Sequence, residues 1–104
     1  MQTPRGLRVL VAEDHPESAE ALALSFREQG HEVTVALDGP SALEAVGAAQ
    51  PDVVFLDILL PGIDGCEVAQ GIHRLSAWKR PLLVPLTGLG DTLARSFALI
   101  GLTT

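Results

Sequence analysis

The chain has 104 residues, 47% of them apolar and 19% charged, which describes one folded domain with a real core rather than a disordered segment. Its formal net charge of -6, with seven scattered Lys and Arg, excludes a basic phosphate-binding surface and with it a nucleic-acid partner. A single cysteine (Cys66) fits a reducing, cytoplasmic setting, the amino-terminal apolar run meets acids too soon for a signal peptide, and no apolar stretch approaches the ~20 residues of a membrane span.

Arg8 to Ala12 (RVLVA) is β-rich and apolar, and stops at Glu13-Asp14. From Pro16 to Gln29 the apolar positions Ala19, Leu22, Ala23 and Phe26 recur at helical spacing, with Pro16 suited to the first turn and Gly30 to the residue past the end. His31 to Ala36 (HEVTVA) reads as a second strand. Asp38 is placed to cap a helix over Ser41 to Ala48. Val53 to Leu56 is a third strand, followed by Asp57. A third helix is expected over Gly65 to Leu75, with Val68, Ala69, Ile72 and Leu75 on one face. Leu82 to Leu86 is the fourth strand, and a last helix is expected over Asp91 to Ile100.

Alternation of short apolar strands with amphipathic helices predicts an α/β fold, a doubly wound parallel sheet covered on both faces. The first and third strands are apolar throughout and belong in its middle, whereas the half-polar second strand reads as an edge. Nothing divides residues 1–104 into more than one domain.

In such a sheet, functional groups gather beyond the carboxyl ends of the strands. Those ends carry Glu13-Asp14, Asp57 and Thr87. Neighbouring first and third strands would bring three carboxylates together, and like charges in close quarters call for a cation. Oxygen-only ligands suit Mg²⁺. Taken singly, each feature is bland: a Glu-Asp pair after a strand is a common solvated loop, and an Asp after an apolar run is more often a helix cap. Their coincidence at successive strand ends carries the weight.

The segments VLVAEDH, FLDILLPGIDG and PLTG, spread over roughly Leu7 to Thr104, resemble the receiver domain of two-component response regulators. The motif D-x-x-L-P-x-x-D-G from Asp57 to Gly65 is specific when the upstream acidic pair and the downstream Thr accompany it. The resemblance implies a flavodoxin-like strand order 2-1-3-4 and a phosphorelay role. Asp57 would be the phosphoacceptor, taking a phosphoryl group from a histidine kinase or hybrid kinase. Asp14 would bind Mg²⁺ directly, Glu13 largely through water, and the backbone carbonyl of Leu59 would add a further ligand. Thr87 would contact the phosphoryl group, and Gly88 would leave it room. Asp64 and Gly65 read as structural parts of the loop.

Receivers of this family continue into a fifth strand, which brings a lysine, and a fifth helix. Here the sole lysine is Lys79, ahead of the fourth strand, so the chain reads as a receiver that stops short of both elements. The fourth strand would then be an exposed sheet edge, blunted by Pro85, and this strand and the last helix would be open to association with a second copy. Two other readings stand beside the phosphoacceptor. One is a degenerate receiver that only binds partners. The other is a phosphatase of the haloacid dehalogenase type, which wants a second Asp two positions after the first, where this chain has Leu59. The phosphoacceptor reading expects a signalling module rather than an enzyme. His15 could touch the acidic site but reads first as a solvated loop histidine. His31 and His73 lack suitably spaced metal-ligand neighbours, Cys66 and Trp78 read as packing residues, and the Thr87–Asp91 segment TGLGD lacks the third glycine of a dinucleotide loop.

Overall fold

A computed structural model describes residues 6–57, 60–62, 65–75 and 80–86. In chain order the elements are β1 (Arg8–Ala12), α1 (Pro16–Glu28), β2 (Glu32–Ala36), α2 (Gly39–Ala49), β3 (Val53–Asp57), α3 (Gly65–Leu75) and β4 (Leu82–Leu86). The helix expected over Asp91 to Ile100 lies outside the described residues, as do Leu59, Asp64, Trp78, Lys79, Thr87 and Gly88.

The four strands form one parallel sheet in the order β2-β1-β3-β4. Central β1 pairs Val9 with Val33 on one side and with Val53 on the other, and β3 continues the ladder from Val53–Leu82 to Asp57–Leu86. Pro85, which has no N–H to donate, sits opposite Leu56 on β4, an edge among the described strands. No described helix is long and apolar enough to cross a membrane.

Because side chains alternate across a strand, the two apolar central strands supply two cores. Leu10, Ala12, Val54 and Leu56 meet Ala42 and Val46 of α2 and Val68 and Ile72 of α3 on one face. Val9, Val11, Val53 and Phe55 meet Ala19 of α1 on the other, with Leu22 and Phe26 packed against them. Phe26 stacks on Phe55 with ring centroids 4.9 Å apart, fastening α1 to β3. Burial of both sheet faces is what makes β1 and β3 near-continuous apolar runs.

Helix ends follow local chemistry. Pro16 opens α1, and Gly30 follows its C-cap at φ +94°, a conformation that glycine adopts without steric cost. Asp38 caps α2 by accepting a hydrogen bond from the Ser41 N–H at 2.8 Å. The helix therefore begins at Gly39, two residues before the expected start, with Pro40 in its first turn. One expected core position fails: Leu75, at the last turn of α3, is 54% exposed. It keeps the periodicity of Val68 and Ile72 but stands beyond the neighbours that cover them.

Candidate functional site

The carboxyl ends of β1 and β3 lie side by side, since Ala12 is in register with Leu56. Glu13 follows directly on β1, and its N–H donates to the Ala36 carbonyl at 3.0 Å. This bond carries the β1–β2 ladder one residue further and holds Glu13 down to 9% exposure. Asp14 comes next, its side chain one-third open to solvent at 33%. Asp57 is the final residue of β3 rather than the residue after it, and only 6% of its surface is exposed. Alternation along β3 sets Asp57 on the same side as Val53 and Phe55, the α1 side.

His15 completes this corner. Its backbone is extended (φ -95°, ψ 109°) at the N-cap of α1, yet its side chain makes no capping bond. Instead its N–H donates to Glu13 Oε2 at 3.1 Å, while ring Nδ1 lies 2.8 Å from that oxygen and 3.2 Å from Asp14 Oδ1. The Glu13 hydrogen bond raises the pKa of His15, and the charges of Asp14, Glu13 and Asp57 push the same way. Asp57 is thus within electrostatic reach of the ring. The solvated histidine expected from sequence is indeed exposed, but it is also bound to the acidic pair. Ligand atoms of Glu13, Asp14 and His15 all lie within 4.8 Å of one another. This tight group holds the imidazole where a third carboxylate was expected, and Asp57 is not a member of it.

The loop after Asp57 is tied to α2. The Gly39 N–H donates to the Pro61 carbonyl at 3.0 Å, and Leu60 is buried in the α2–α3 core. Gly62 has φ +98°, and a Cβ there would sit 2.8 Å from Cδ of Pro40. A side chain at position 62 would meet both backbone strain and a proline ring, so the Pro61-Gly62 turn requires glycine. Leu59 and Thr87, the remaining expected site residues, fall outside the described residues. The donor chemistry of Glu13, Asp14 and Asp57 is all oxygen and fits a hard ion such as Mg²⁺. His15 adds one nitrogen to that set.

The chain is 41% identical over 83 residues to the transcriptional regulatory protein TcrA of Mycobacterium tuberculosis, covering 80% of this chain and 33% of that one. It is 44% identical over 87 residues to the transcriptional activator protein PfeR of Pseudomonas aeruginosa, covering 84% of this chain and 28% of that one. The chain therefore spans about a third or less of the length of these curated relatives. Among solved structures, it superposes on the response regulator protein TrrA of Thermotoga maritima, in complex with Mg²⁺ and BeF, with a TM-score of 0.64 and 29% identity. That match covers 90% of this chain and 98% of that one. The model of the response regulator receiver domain matches residues 9–99, and the chain belongs to that family.

Proposed function

We propose that this domain accepts a phosphoryl group on Asp57 from a phosphohistidine of a cytoplasmic histidine kinase or hybrid kinase. The observation that carries the reading is the position of Asp57: a shielded carboxylate at the end of central β3, beside the acidic pair that ends β1. In the transfer, a carboxylate oxygen of Asp57 forms a bond to phosphorus as the phosphorus–nitrogen bond to the donor imidazole breaks, and the electron pair returns to that ring. Asp14, Asp57 and the Leu59 carbonyl would hold Mg²⁺, with Glu13 acting largely through water. The ion would neutralise charge on the phosphoryl oxygens. The backbone bond of Glu13 to β2 fixes the start of the acidic pair at the end of β1. The Pro61-Gly62 turn is fixed to α2. Thr87 would donate its hydroxyl to the transferred group.

The complex of TrrA with Mg²⁺ and BeF is in keeping with this assignment. The transcriptional roles in the names of TcrA and PfeR belong to those longer proteins, and DNA contact is not proposed for these 104 residues, whose net charge is -6. Incubation with Mg²⁺ and a small phosphodonor, read by intact mass, tests the reading. One phosphoryl increment should appear and be absent in Asp57→Asn. Retention of label in Asp57→Asn would move the acceptor elsewhere, with Asp14 the first suspect. No label on the native chain would favour a receiver that only binds partners.

A further inference from the structure

The outer edge of the sheet is closed by one side chain. β2 ends the described sheet, and its sequence EVTVA is rich in β-branched residues. The Glu32 N–H donates to the Leu7 carbonyl and the Ala36 carbonyl accepts from Glu13. Since N–H and C=O of one strand residue point to the same side, Glu32, Thr34 and Ala36 face β1, while Val33 and Val35 turn their backbone groups outward. Among the described residues, one partner meets those outward groups. Arg27, in the last turn of α1, donates from one terminal nitrogen to the Val33 carbonyl at 3.1 Å. Its other terminal nitrogen is held by Glu20 Oε2 at 3.2 Å. Because the Val33 carbonyl faces away from β1, the guanidinium stands where an added strand would have to run.

That edge is complementary to itself. A two-fold axis through Thr34 sets Val33 antiparallel to Val35 of a second copy, and Val35 to its Val33. Each such pair exchanges N–H···O bonds in both directions, so half of the bonds at the junction end on a Val33 carbonyl. The register also sets Thr34 against Thr34 and Glu32 against Ala36, with no like charges opposed. We propose that Arg27 guards the β2 edge, closing a strand-addition site whose occupant is a second copy of this chain. The guard takes the acceptor that the junction needs most, and adding a strand would strip water from a guanidinium. The inference is independent of the role given to Asp57.

Sedimentation velocity over a range of concentrations tests it on the native chain and on Arg27→Ala. Both bonds of Arg27 lie at the surface and its side chain is 43% exposed, so the variant keeps the core intact. Arg27→Ala should dimerise at least about tenfold more tightly than the native chain, and equal association would overturn the proposal. Thr34, exposed on β2 and placed on the axis, supplies the second variant. Thr34→Lys added to Arg27→Ala opposes two ammonium groups across the junction and should return association to the native level. Dimers that survive Thr34→Lys would place the contact elsewhere, β4 included, and equally overturn the proposal. Hydrogen exchange gives an independent reading. The Val33 and Val35 amides should exchange readily in the native chain and slow about tenfold or more in Arg27→Ala dimers; dimers without that protection would refute pairing through β2.

Discussion

Replacing Phe55 with leucine tests how the strand that ends in Asp57 is anchored. The Phe55 ring is 1% exposed and stacked on Phe26 at 4.9 Å with an interplanar angle of 25°. Such a pair contributes about 0.5–1.5 kcal/mol beyond the burial of its area. Leucine keeps most of the apolar volume, so the mismatch and residual void add about 1 kcal/mol. The expected loss is about 2 kcal/mol, equivalent to a melting temperature lower by roughly 8–16 °C in a domain of this size. Phe26 is only half-buried, so Phe26→Leu should cost less, about 1–1.5 kcal/mol. Both single changes remove the same ring contact, so the double variant should lose about 1 kcal/mol less than their sum. Urea unfolding followed by circular dichroism supplies all the values required for the cycle. Strict additivity within about 0.3 kcal/mol would show that the rings do not reinforce one another, and the anchoring of β3 through α1 would be wrong.

Three further outcomes are expected. Mg²⁺ should raise the melting temperature of the native chain, and Asp14→Asn should remove most of that rise; a native melting curve indifferent to Mg²⁺ would count against the metal site. Asp38→Ala should lower the melting temperature at neutral pH by removing the cap on Ser41. The backbone and hydroxyl of Ser41 hold the Asp38 pKa below its ordinary value, so this contribution is full above the usual carboxylate range and is lost as pH falls through the depressed folded value. Melting curves of both proteins from about pH 6 down to about pH 2 should therefore converge in acid. Gly6→Ala would drive a Cβ into the Gly30 carbonyl oxygen, a backbone atom with little room to yield, and should destabilise by about 1–3 kcal/mol in the same melts.

Most of the architecture was legible because two periodicities dominate the chain. The apolar runs at Arg8–Ala12 and Val53–Asp57 can satisfy only a strand buried on both faces, and the spacing of Ala19, Leu22, Ala23 and Phe26 only a helix lying on that sheet. Boundaries moved where one residue decides them. The Asp38 cap drew Gly39 and Pro40 into α2, and Asp57 joined the ladder opposite Leu86. Leu75 misled because periodicity specifies a direction around the helix but not whether a neighbour stands there. Asp57 could be singled out from its place after an apolar strand. The contact of His15 could not, because it depends on the extended backbone at the N-cap and on which way one ring turns. The adjacency of EDH in sequence was the available signal, and it is shared by many solvated loops.

The strand order also governs the timing of assembly. β1 sits between β2 and β3, but β3 is made only after α1, β2 and α2. No hairpin can bring Glu13 and Asp14 beside Asp57, since each parallel pairing requires a crossover through a helix. Closing these long loops precedes the gain from the contacts they permit. A nascent chain that has reached α2 thus carries half of the acidic corner with its neighbouring strand still unmade. A cation that needs both halves reports when β1 and β3 dock: if docking precedes the main barrier, Mg²⁺ speeds refolding, and if it follows, the ion slows unfolding instead.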